Sequence, residues 1–148
     1  MSTSLQALLL IQKLSAVVPT IIDRFYRVLY ETLLDPRLST SSKQSIYLNL
    51  LLRAIKADHD LRRVKAFAKR MLQMTTNHQV PFTCGLIYVV SQARRTFPNL
   101  GTLIDQAEGR SSGDSDIAEM YDGRKRSPEY SNAHRSCLWE SVRLVFVT

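Results

Sequence analysis

Nine residues from Arg62 to Arg70 hold the densest charge in the chain: five cations and no acid. Arg62, Lys65 and Lys69 fall at i, i+3 and i+7, which on a helix makes one ridge. Arg63 and Arg70, seven apart, make another. Both flank an apolar stripe of Leu61, Val64, Ala68 and Met71 and are expected to stand clear of it. Such ridges suit a run of phosphates, because each Lys or Arg releases a condensed counterion on contact. A solvated helix face produces the same pattern, so both readings stay open. Nothing in the stretch resembles a groove-docking motif with base-edge readers. The second basic feature is Arg124-Lys125-Arg126, framed by Asp122-Gly123, a turn signal, and by Ser127-Pro128. Tyr121, Tyr130 and Trp139 are spaced through this region, and we read them as anchors that pack it onto a folded core.

Other chemistry is thinly represented. His59, His78 and His134 fall at helix ends or in the tail, each without a carboxylate at a fixed short spacing. No glycine-rich phosphate loop and no metal-ligand cluster is present. Cys84 precedes Gly85 at a helix start and reads as a small buried residue allowing close packing, since a reactive thiol needs an electropositive neighbour. The expectation is a chain with no catalytic, cofactor-binding or metal-binding residues. The eight candidates for nucleic-acid contact are Arg62, Arg63, Lys65, Lys69, Arg70, Arg124, Lys125 and Arg126.

Charge is unevenly spread over the 148 residues, whose formal total is +7. Residues 1–104 carry 14 Lys and Arg against 5 acids, whereas residues 105–148 carry 6 against 8. A basic folded part favours an anionic partner such as nucleic acid; ordinary solubility is the plainer alternative. Two isolated cysteines, Cys84 and Cys137, fit a reducing compartment. No signal peptide is visible, and the run Leu8–Ile11 is too short to span a bilayer. No membrane and no small-molecule ligand is expected.

The elements that must position these residues are helical. Few Gly and Pro and long apolar runs exclude a sandwich or barrel. Helices are predicted at about 5–18, 20–34, 41–57, 61–77 and 82–96, with a short sixth from Pro98 to about Gln106. Pro19 suits the first turn of the second helix, whose stripe is Ile21, Ile22, Phe25, Val28, Leu29 and Leu33. Asp35-Pro36 ends that helix. Hydroxyls at residues 39–42 offer N-caps to the third, and Asp58-His59-Asp60 separates the third from the fourth. The fifth helix is apolar nearly all round and should be buried on several sides. Helix starts near 5, 41 and 82 give a period of roughly 36 to 41 residues, close to that of HEAT-like pairs. The fold class is therefore all-α, antiparallel helix pairs in a HEAT-like (ARM-type) solenoid segment, with a closed bundle as the alternative. Residues 1–106 form the helical-repeat part. Residues 107–120 read as a disordered acidic linker, 121–140 as a partly extended docking segment, and 141–148 as a divergent tail.

Five stretches carry a resemblance. Leu34-Asp35-Pro36-Arg37-Leu38-Ser39-Thr40-Ser41-Ser42-Lys43-Gln44, together with residues 49–58, 63–70, 81–85 and 121–133, resembles the CCAAT-binding factor (CBF) domain, in its nucleolar-complex protein group. The resemblance covers about residues 17–140. It implies a fragment of a large helical-repeat protein of the nucleus and nucleolus. Such a protein is a non-enzymatic scaffold in large-subunit pre-ribosome assembly and export, binding a second nucleolar-complex protein, the pre-ribosomal particle and rRNA. A DNA-binding role at CCAAT promoters is the alternative that the family name carries.

Overall fold

The computed structural model describes residues 2–15, 18–100, 121–133 and 136. Five α-helices account for most of them: α1 (Ser2–Ser15), α2 (Pro19–Thr32), α3 (Gln44–Ala57), α4 (Leu61–Met74) and α5 (Val80–Thr96). Short 3-10 turns follow at Pro36–Leu38, Thr75–Asn77, Pro98–Leu100 and Pro128–Tyr130, and no strand occurs among the described residues. The chain is all-α. The expected acidic linker, the end of the sixth helix, Trp139 and the tail lie outside the described residues.

Local chemistry sets the boundaries. Pro19 opens α2, where its missing N–H costs nothing. Asp35 caps the turn that follows by accepting from the Arg37 N–H at 2.9 Å. Asp58 ends α3, and the Asp60 carboxylate accepts from the Arg62 N–H to start α4. α3 begins at Gln44, not among the hydroxyls upstream. The Gln44 amide donates to the carbonyls of Leu38 and Ser39, both at 3.0 Å, and holds residues 39–43 in a turn.

One core joins all five helices. α1 packs on α2, α4 on α5, and α3 mainly on α5 with a lighter contact to α1. Side chains of α2 reach the others: Tyr26 donates to the Ala54 carbonyl at 2.8 Å, and Tyr26 and Tyr30 both meet the Phe67 ring edge-on. On α2 and its C-cap the buried positions are Phe25, Tyr26, Leu29, Tyr30 and Leu33, while Val28 is exposed. The predicted stripe thus keeps Phe25, Leu29 and Leu33 and loses Val28, and it widens on one side because two tyrosines, with aromatic bodies and polar tips, take core positions.

The helix buried on several sides is α4, not α5. Residues 66–72 of α4 are buried without a break, since residues 121–133 cover the side that α2 and α5 leave open. α5 buries Phe82, Leu86, Val89 and Ala93 on one face only and exposes Val80, Cys84, Ile87 and Tyr88 on the other. Cys84 is therefore a surface residue. Its neighbour Gly85 does serve close packing: a Cβ there would overlap Cδ1 of Leu48 on α3.

Candidate nucleic-acid interface

α4 carries five of the eight candidate cations, and their surroundings differ sharply. Arg62, at the start of the helix, is exposed and rests loosely on Asp60, with both contacts at 3.4 Å. Arg63 points inward. Its guanidinium binds Asp58 through Nε and Nη2 at 3.0 and 2.9 Å, reaches Asp23 at 2.7 Å, and lies 4.6 Å from the Tyr26 ring centroid. Burial works against this cation, but the hydrogen bonds and charge of Asp58, then Asp23, outweigh it and raise its pKa. Arg63 forms one side of an open cleft of about 400 Å³ whose other walls include Phe25, Tyr26 and Ala54.

Lys65 is half-buried. Lys69 and Arg70 are 1% exposed, so the ridge expected to run Arg62, Lys65, Lys69 in solvent enters the core at its third member. The Lys69 ammonium sits 5.0 Å from the Tyr121 ring centroid. Arg70 stacks over Tyr30 at 3.3 Å and donates to three carbonyls: Tyr30 at 2.9 Å, Gly123 at 2.6 Å and Lys125 at 3.2 Å. Burial lowers the pKa of Arg70 and raises that of Tyr30, which stays a neutral phenol beneath the cation. Arg70 is a clamp between the helices and the segment at 121–125.

That segment is held at further points. Tyr121 Oη donates to Gln73 at 2.9 Å, the Asp122 N–H to the Ser131 carbonyl at 3.0 Å, and Pro128, Ser131 and Ala133 are buried. Asn132 turns the chain with φ 55°, a left-handed conformation that Asn tolerates well. Arg126 forms a forked pair with Glu31 of α2, whose Nη2 arm measures 3.2 Å, and that hydrogen bonding holds the Glu31 carboxyl below its usual range. Tyr121 is an anchor; Tyr130, expected as another, is largely exposed.

The side chains of Arg124 and Lys125 face outward, while Arg70 holds the Lys125 carbonyl and the Asp122 carboxylate accepts from the Arg124 N–H at 2.9 Å. Of the eight candidates, Arg62, Arg124, Lys125 and Arg126 face solvent, and Arg63, Lys69 and Arg70 have become internal ties. Sequence reasoning also passed over other exposed cations, among them Arg53 and Lys56 on α3 and Arg94 and Arg95 on α5. Their signal was available, since neither helix contains a single acid. Among the described residues, no three His, Cys, Asp or Glu gather where a metal ion could sit, and no helix is long and apolar enough to cross a membrane.

Comparison with known proteins places this arrangement. The profile of the CBF/Mak21 family matches residues 4–145. The chain is 48% identical to the Ribosome biogenesis protein NOC1 of Chaetomium thermophilum, over 97% of this chain and 16% of that protein. It is 39% identical to mouse CCAAT/enhancer-binding protein zeta, over 97% of this chain and 13% of the relative. Nucleolar complex protein 1 of Drosophila melanogaster is 36% identical over 62% of this chain and 8% of its own length. The chain thus spans less than a fifth of each of these relatives. No solved structure matches it.

Proposed function

The chain belongs to the CBF/Mak21 family, and on that footing we propose that it is a non-enzymatic scaffold segment in ribosome biogenesis, acting in the nucleolus. Its work is large-subunit pre-ribosome assembly and export, in contact with a second nucleolar protein and with pre-rRNA. The observation that carries the reading is the 48% identity to a ribosome biogenesis protein across nearly the whole chain. A HEAT-like solenoid is the architecture we propose for the longer helical array, with α1–α5 as one stretch of it.

The RNA-facing edge in this reading is Arg124, Lys125 and Arg126, with Arg62 and Lys65 as further candidate contacts earlier on α4. Arg70 and Lys69 support that edge from within, whereas Arg63 ties α4 to Asp58 and Asp23. Arg124 and Lys125, exposed on a turn that Arg70 holds, suit phosphates, whose contacts carry no base preference, while Arg126 would have to leave Glu31 to join them. The test is binding of single-stranded RNA by an Arg124→Gln/Lys125→Gln variant across a salt series. Two lost phosphate contacts should flatten the log–log slope by roughly 1.4, at about 0.7 each, for every sequence alike. An unchanged slope overturns the assignment of this edge.

The name of the mouse relative favours a second reading, direct binding of CCAAT DNA. That reading needs side chains reaching base edges from a groove-sized element. A CCAAT duplex bound more tightly than a scrambled one at matched salt decides for it.

A further inference from the structure

We propose that the outer face of α3 and α5 docks an acidic, amphipathic helix of a partner protein. This rests on the scaffold reading above and names the surface and the chemistry that would meet it. Val80 is 75% exposed, Tyr88 58%, Ile46 42% and Ile87 39%. On α5, Val80, Cys84, Ile87 and Tyr88 fall at i, i+4, i+7 and i+8, one continuous stripe opposite the buried Phe82, Leu86, Val89 and Ala93. α3 lies directly beside it, so close that Leu48 touches the backbone side of Gly85. Since both helices turn their other sides into the same core, their exposed sides form one surface.

Charge identifies the occupant. α3 and α5 contain no acidic residue, and Arg53, Lys56, Arg94 and Arg95 are all exposed with no ion pair among the described residues. On α4, by contrast, Arg62 and Arg63 meet a carboxylate. A surface of unpaired cations bordering an apolar stripe is complementary to a helix with acids flanking apolar anchors at i, i+3, i+4 and i+7. A second copy of this chain would bring like charge to like, since the chain carries +7. RNA gains little from Val80, Ile46 and Ile87, because aliphatic side chains give bases nothing to stack on; Tyr88 alone would serve.

Cys84 lies within the stripe and reports its occupancy. Its alkylation by a maleimide is followed in the full chain by the mass of the peptide that carries it, which separates it from Cys137. Three probes are compared: an acidic amphipathic helix of about 18 residues with a leucine stripe and glutamates, the same helix with lysines for glutamates, and a uridine oligonucleotide. The acidic helix should slow Cys84 alkylation about tenfold near saturation, and the lysine helix and the RNA should leave it unchanged. Arg94→Gln/Arg95→Gln should raise the acidic helix concentration needed by roughly fivefold, the effect of two exposed charge contacts. Equal protection by both helices, protection by RNA, or protection that grows with protein concentration alone overturns the proposal, the last two in favour of nucleic acid or a second copy. The RNA salt slope of the Arg124/Lys125 variant is read separately, so either idea can fail alone.

Discussion

Arg70→Met removes a buried guanidinium and keeps a side chain of similar length. Three carbonyls lose their donor, at Tyr30, Gly123 and Lys125. Each such loss costs about 1 kcal/mol where water can partly replace the donor, as it can at the half-buried Gly123. The stack on Tyr30, at 3.3 Å and shielded from solvent, adds about 2 kcal/mol. Against these stands relief of part of the guanidinium's desolvation, which lowers its pKa. The net is a loss of about 3 kcal/mol, which for a chain of this size lowers the midpoint of thermal unfolding by roughly 10 °C. Arg70→Lys keeps the charge without the planar fork and should lie between. Urea and thermal unfolding followed by circular dichroism give the magnitudes. Hydrogen exchange at the Asp122 amide, which closes the segment onto Ser131, tells whether residues 121–133 detach first. Arg124→Met, at an exposed position, is the control. Equal stability of the Arg70→Met and Arg124→Met variants would refute the clamp.

Lys69→Gln should cost about 1–2 kcal/mol because the cation over Tyr121 is buried, whereas Arg62→Gln should stay within about 0.5 kcal/mol; denaturant melts of the two single variants check the contrast. Gly85→Ala should be near neutral in the native background, since its helix gain of about 1 kcal/mol is offset by displacing Leu48. With Leu48→Ala in place the same change should stabilise by about that amount, and a double-mutant cycle measures the coupling. The Glu31 carboxyl has its pKa lowered below 4.5 in the folded chain by Arg126. The folded state therefore holds fewer protons than the unfolded one in that range, so the pair's contribution is complete above 4.5 and is lost as pH falls through the folded-state value. Stabilities of the native chain and of Arg126→Gln, measured from pH 7 downward, should converge in that acidic window; a constant gap would show that the pair contributes nothing.

The helices were legible because burial on one side writes a period of 3.6 residues into the sequence, and the proline and aspartate punctuation at Pro19, Asp35 and Asp60 is local. Ser39–Ser42 is chemically able to cap and so predicts an earlier start for α3 than Gln44. What decided otherwise was Gln44, whose amide reaches back to Leu38 and Ser39. The misjudged burial has a different cause. α5 looked apolar all round, yet its outer stripe has no covering element among the described residues. α4 looked amphipathic, yet a segment more than fifty positions later in the chain covers its polar side. Periodicity reports the faces of a helix, not the number of neighbours it has.

The same limit governs the candidate interface. The five cations of α4 are chemically alike in sequence, and three of them are taken up by partners far away along the chain. Arg63 meets Asp23 forty positions back, Lys69 meets Tyr121, and Arg70 meets Gly123. No helical-wheel argument contains those partners, so the ridge was overcounted. Part of the uncounted charge lay on α3 and α5, where the absence of acids within each helix leaves no local competitor for Arg53, Lys56, Arg94 and Arg95. A net charge of +7 is therefore not one basic surface. Its parts include internal ties on α4, an exposed turn at Arg124–Arg126, and a separate face that is basic and apolar at once. Phosphates have reason to favour the turn, where charge comes without apolar surface. The α3–α5 face combines both properties, and a partner that satisfied only its charge would leave Val80 and Tyr88 in water.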